Sequence, residues 1–118
     1  MLRWFDADQN LAVEDIPHRR EYAGWVKRLS RAEQDAAFAY IEQLVEQGGD
    51  IHTSSFMPGP DWTGTPLQTL YETAANYSEQ QAGWCFGLML METMIRRDDQ
   101  WYCKKDLEFT EGTIYWKG

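Results

Sequence analysis

Between Glu79 and Arg96 the chain holds one charged residue, Glu92. Its apolar residues there occupy every side of a 3.6-residue period: Ala82, Trp84, Cys85, Phe86, Leu88, Met89, Leu90, Met91, Met94 and Ile95. A helix with no polar face belongs in an interior or in a bilayer. The apolar run from Ala82 to Met91 is about half the length a membrane span requires. This helix is therefore the centre of a protein core, and the rest of the chain must wrap it. Ser78-Glu79-Gln80-Gln81 reads as its capping box. Gly83 and Gly87, one turn apart, are expected to let a neighbouring element approach closely, a spacing that brings helices together in lipid.

Three further helical patterns precede it. After Ile16-Pro17, with proline at the tolerated first position, Tyr22, Trp25, Val26 and Leu29 mark one helical face. Ser30-Arg31-Ala32-Glu33 is a second capping box, followed by a stripe of Ala37, Phe38, Ile41, Leu44 and Val45. Gly48-Gly49 should end that helix, because glycine takes the left-handed C′ conformation without strain. Thr65-Pro66-Leu67-Gln68 opens the third pattern, whose face is Leu67, Leu70, Tyr71 and Ala74.

After Asp98-Asp99 the period changes from helical to alternating. Trp101 and Cys103 alternate with Tyr102 and Lys104, Leu107 and Phe109 with Glu108, and Ile114 and Trp116 with Thr113 and Tyr115. Glu111-Gly112 fits a tight turn. A lone hairpin is marginal in water, so it should pack on the helices. Leu2 to Phe5 and Ile51 to Phe56 are candidate additional strands. The expected fold is α+β, a single globular domain over residues 1–118. About four helices, with the central apolar one last, pack on a small antiparallel sheet made by a C-terminal β-hairpin or a three-stranded meander.

With 118 residues, 43% hydrophobic and 25% charged, the chain is an ordinary globular domain and not a disordered or collagen-like one. Its net charge of −8 argues against a protein that binds nucleic-acid backbones. Two cysteines, Cys85 and Cys103, are too few for a disulfide scaffold and read as buried thiols. The first residues turn acidic at Asp6, with no apolar signal core after them. The expectation is a soluble cytoplasmic protein without membrane association.

No catalytic, cofactor-binding or metal-ligating set emerges. Asp6-Ala7-Asp8-Gln9-Asn10 opens like a calcium loop, but Leu11 and Pro17 stand where glycine and the bidentate glutamate are needed. His18, His52, Cys85 and Cys103 lack zinc spacing. His52, Ser54, Ser55 and Asp61 share an irregular stretch, without the nucleophile elbow that would expose a serine. Thr63-Gly64-Thr65-Pro66 lacks the frame and lysine of a phosphate loop. Glu92 reads as the ion-pair partner of Arg96, four residues on.

Two features point to recognition. The stretch from Asp50 to Thr65 has no periodicity, yet it carries Phe56, Met57 and Trp62 among prolines and glycines. Such long aperiodic segments are commonly functional. Trp62 is expected at a surface, Trp25 and Trp84 in the core. The second feature is charge segregation. From Ala32 to Thr93 there is no Lys or Arg, while nine carboxylates are present: Glu33, Asp35, Glu42, Glu46, Asp50, Asp61, Glu72, Glu79 and Glu92. Cations gather at Arg19, Arg20, Lys27, Arg28 and Arg31, and again at Arg96, Arg97, Lys104 and Lys105. Either the basic first helix neutralises the acidic second one, or an acidic face is left to attract a basic partner.

These features favour a small acidic protein–protein interaction module, such as an inhibitor, an immunity protein or a nucleic-acid mimic that blocks a basic partner surface. The candidate partner- or ligand-binding residues are Trp62, Asp61, His52, Phe56, Glu42 and Glu46. The alternative is a small ligand-binding domain or enzyme whose 50–65 loop forms an apolar pocket with a few polar groups. A third reading is a homo-oligomer that pairs this loop or the hairpin edge with its own copy.

Overall fold

The structure is a computed structural model that describes residues 2–4, 16, 18–47, 51–53, 62–105 and 113–117. Among the described residues, three α-helices, one π-helical turn and four strands follow in order: β1 (Leu2–Trp4), α1 (Arg19–Lys27), α2 (Arg31–Gln47), β2 (Ile51–Thr53), the π-helical turn Leu70–Ala74, α3 (Glu79–Arg96), β3 (Trp101–Lys105) and β4 (Thr113–Lys117). The α+β class is as expected, and α3 is central. It packs against α1, α2 and the π-helical turn. No described helix is long and apolar enough to cross a membrane.

Local chemistry sets the helix ends. Ser30 and Glu33 form the capping box: the Glu33 N–H donates to Ser30 Oγ at 3.1 Å, and the Ser30 N–H donates to Glu33 Oε1 at 2.8 Å. Gln34, on the first turn of α2, donates from Nε2 to the carbonyls of Val26 and Leu29, both at 3.1 Å. It thereby bonds the Leu29 carbonyl and adds a further donor to the Val26 carbonyl, which already accepts from the Leu29 N–H. Ser78 caps α3 by accepting from the Gln81 N–H at 3.2 Å. Gln81 does not complete that box, because its Oε1 accepts from the indole of Trp25.

The third helical pattern becomes a π-helical turn. Thr65 Oγ1 accepts from the Leu67 N–H, as a cap should. Gln68, however, turns its Oε1 to the Gly64 N–H and its Nε2 to Glu72. The backbone then widens by one residue, the Ala75 N–H reaching the Leu70 carbonyl at 2.8 Å. Asn76 and Tyr77 follow, both left-handed, with φ of 49° and 66°.

The sheet has the order β1-β3-β4-β2. β3 pairs antiparallel with β4, from Trp101 opposite Lys117 to Lys105 opposite Thr113. β2 pairs antiparallel with β4, and β1 pairs parallel with β3. The sheet is thus mixed, a correction to the antiparallel expectation. Its cause is topological, since β1 is joined to the rest of the sheet only through the helices and lies beside β3 in the same direction. The proposed Leu107–Phe109 strand, the Glu111-Gly112 turn and the Gly48-Gly49 stop lie outside the described residues.

One buried cluster joins the layers. It contains Tyr22 and Leu29 of and after α1, Ala37, Ile41 and Val45 of α2, Leu67, Leu70 and Ala74 around the π-helical turn, and Cys85, Phe86, Met89, Leu90, Met91 and Met94 of α3. Leu2, Trp101, Cys103 and Tyr115 bring the sheet into the same cluster. On β4 the core face carries Tyr115, not Trp116. Register explains this: Tyr115 lies opposite Cys103 on the core side, while Trp116 lies opposite Tyr102 and stacks on it at 6.0 Å. The Gly83 and Gly87 expectation also fails. Among the described residues a Cβ at either position would meet nothing within 4 Å, so neither glycine admits a close neighbour from them.

Candidate functional site

The acidic candidates of α2 gather at one cation. Glu42 and Glu46 are one helical turn apart, and both reach Arg97, the residue that ends α3. Arg97 Nη1 donates to Glu42 Oε2 and Nη2 to Glu46 Oε1, each at 2.8 Å. The same guanidinium forks onto Asp99, with Nε to Oδ1 at 2.9 Å and Nη2 to Oδ2 at 3.0 Å. Its hydrogen bond to Asp99, then the one to Glu46, hold it more firmly protonated than a free arginine, against the opposing effect of burial. Arg97 is only 13% exposed, while the Glu42 and Glu46 side chains remain 46% and 64% exposed. The clamp fixes α2 to the end of α3 and still leaves both carboxylates facing water.

The ion pairing of the acidic segment differs from the simple picture of α1 lying along α2. Glu42 and Glu46 pair with Arg97, and Asp35 pairs with Arg31 on its own helix at 3.3 Å. Among the described residues, Arg20, Lys27 and Arg28 of the first basic cluster make no ion pair.

Glu92 is held as the i, i+4 spacing implies, and by a second donor that the spacing does not reveal. Arg96 Nη2 donates to Glu92 Oε1 at 2.7 Å, and the Tyr22 hydroxyl donates to Oε2 at 2.5 Å. Burial, then the hydrogen bond to Glu92 and its charge, push the Tyr22 phenol well above its ordinary value. Arg96 also lies over the Phe38 ring, 5.2 Å from its centroid. Tyr22, Glu92, Arg96 and Phe38 therefore tie α1, α3 and α2 into one frame.

Of the aromatic-loop candidates, Trp62 is described in full. It is half-buried, packs on the core, and meets Phe86 with ring centroids 5.8 Å apart. It is thus partly covered rather than fully at the surface, and its carbonyl accepts from the Thr65 N–H and hydroxyl. The backbone of His52 lies in β2 opposite Tyr115, and nothing is described of its side chain. Asp61 and Phe56 lie outside the described residues, as does the Asp6–Asn10 stretch. Among the described residues no group of three His, Cys, Asp or Glu side chains could hold a metal ion.

Trp84 is the opposite correction. It lies on α3 yet is 49% exposed, its ring tilted against that of a half-buried Trp25 at 6.5 Å. Tyr77 is exposed too, with Tyr71 meeting it edge-on at 5.4 Å. Apolar periodicity placed Trp84 in the core because it cannot register that the first turns of α3 are less covered than the last. No family model matches the chain, nor does any curated protein or solved structure.

Proposed function

We propose that this chain is a small acidic interaction module, of inhibitor or immunity type, whose α2 face docks on a basic surface of a partner protein. One observation carries the reading: Glu42 and Glu46 share a single guanidinium and remain 46% and 64% exposed. Arg97 fixes their positions without covering them. Fixed charges of one sign raise encounter rates and select partners of the other sign. Two exposed carboxylates on adjacent turns can each accept from a Lys or Arg, using the oxygen that Arg97 leaves free.

The test is a tagged pull-down from the source cells at low and high salt, read by mass spectrometry, with the wild type beside Glu42→Lys/Glu46→Lys. A near-stoichiometric basic protein should be captured at low salt and released near 1 M, where screening shortens to about 3 Å. The charge-reversed protein, checked for folding by circular dichroism, should not capture it. No basic partner at either salt, or capture that the reversal leaves unchanged, overturns the reading.

A further inference from the structure

A second surface, of different chemistry, lies where α1, the π-helical turn and the start of α3 meet. Tyr77 and Trp84 are the exposed large hydrophobic residues among those described, and they bracket the α3 cap at Ser78. Contacts between α1, the π-helical turn and α3 lie around them. Trp84 packs on Trp25, whose indole N–H donates to Gln81 Oε1 at 3.2 Å. One turn further along, just past α1, Arg28 donates from Nη1 to the Ala74 carbonyl at 2.9 Å. Ala74 ends the π-helical turn, and Tyr77 follows three residues later against Tyr71.

Arg28 is exposed and anchored. One N–H is taken by a backbone carbonyl, and no described carboxylate pairs with it, so four of its five donors remain for a ligand. Glu72, the acid on the π-helical turn, is bonded to Gln68, and Glu21 stands two turns away along α1. Exposed Lys27 and Arg20 add positive charge on the same helix. Tyr77 holds a left-handed backbone, which a bulky residue adopts only under constraint. The fold thus accepts strain where it displays an aromatic ring.

We propose that this strip, Trp84–Trp25–Arg28–Tyr77, docks an acidic polypeptide segment: the rings pack on its apolar side chains and Arg28 takes a carboxylate in a forked hydrogen bond. Trp, Tyr and Arg are the residues in which interface hot spots are enriched, and charge complementarity selects the acid. This inference is independent of the α2 face.

The probe is a displayed library of random twelve-residue peptides, selected on the intact chain. Peptides rich in Asp and Glu with at least one aromatic or aliphatic residue should be enriched. An enriched peptide, measured by calorimetry, should bind Trp84→Ala, Arg28→Gln and Tyr77→Gly at least about tenfold more weakly than wild type. Glu42→Lys/Glu46→Lys should bind it no more weakly than wild type. Tyr77→Gly is the telling variant, because relief of strain should keep or raise its melting temperature while binding is lost. The proposal is overturned if no acidic peptide is enriched, if Trp84→Ala and Arg28→Gln bind like wild type, or if a random single-stranded oligonucleotide pool binds the strip more tightly with the same dependence on these variants.

Discussion

The Tyr22–Glu92 contact should be a main fastening of α1 to the central helix, and its strength can be worked from the structure. Tyr22 is 4% exposed, and the Glu92 side chain 15%. Tyr22→Phe keeps the ring and its packing but removes the donor to Oε2, while Arg96 still holds Oε1. A hydrogen bond to a charged, largely buried acceptor is worth about 1.5–3 kcal/mol, so we expect a loss of about 2 kcal/mol. Glu92→Gln should cost less, about 1 kcal/mol, since the amide oxygen still accepts from Tyr22 and the pair it loses is to an Arg96 side chain that is 63% exposed. Once Glu92→Gln is in place, removal of the Tyr22 hydroxyl should cost only about 1 kcal/mol, the value of a neutral bond, and the difference is the coupling a double-mutant cycle reads. Urea unfolding at pH 7 is the assay. With a slope of roughly 1.5 kcal/mol/M for a domain of this size, Tyr22→Phe should lower the midpoint by about 1.3 M. A midpoint within about 0.3 M of wild type, or equal costs in both backgrounds, would refute the reasoning.

Three further outcomes follow from packing and titration. Gly83→Ala and Gly87→Ala should each stabilise the protein by about 0.5–1 kcal/mol, because the added methyl meets open space and helical entropy favours alanine; a lower urea midpoint would restore the close-approach reading. Met89→Ala, in the fully buried middle of α3, should cost about 2–5 kcal/mol in the same assay, and a loss below about 1 kcal/mol would contradict a central α3. Alkaline pH should destabilise the fold. Burial pushes the Cys85 and Cys103 thiols up from 9.0 to about 12. The unfolded thiols ionise first, so their contribution is complete below pH 9 and falls by about 1.4 kcal/mol per pH unit for each thiol until about pH 12. Buried Tyr22 and Tyr115, also shifted upward, should add to the fall above pH 10. Stability profiles between pH 8.5 and 10 should therefore flatten in Cys85→Ala/Cys103→Ala, and an unchanged slope would count against thiol burial as the cause.

What could be read from residues alone was what local rules govern. The Ser30–Glu33 box, the Ser78 cap, the apolar stripe of α2 and the change of period after Asp99 each depend on neighbours within four residues, and each is found in place. The Glu92–Arg96 pair was legible for the same reason. The failures share a different cause. Tyr22 as the second donor to Glu92, Arg97 as the partner of Glu42 and Glu46, and the parallel entry of β1 beside β3 all join residues far apart in sequence. Trp84 left its expected core place because hydrophobic character reports preference for an interior, not which turn of a helix is covered. The π-helical turn left no mark in the apolar spacing of Leu67, Leu70 and Ala74, which are buried as a helical face would bury them.

The charge pattern takes on a different meaning once folded. In sequence, a basic block precedes a long acidic one, and mutual neutralisation looks like the economical arrangement. In the fold Glu42 and Glu46 are instead clamped by Arg97, from the far end of α3. This leaves the cations Arg20, Lys27 and Arg28, on α1 and at its end, without ion pairs among the described residues. The Glu42 and Glu46 carboxylates at Arg97, and the Arg28 guanidinium at the Ala74 carbonyl, are thus held by different partners. Exposed pairs gain little from being closed internally, about 0–1 kcal/mol each, so folding stability alone gives weak pressure to bring the blocks together. The same groups gain more in a desolvated interface, where charge-assisted bonds set partner choice. Keeping these charges apart therefore costs little stability, and substitutions at Glu42/Glu46 and at Arg28 test separately the two docking faces proposed above.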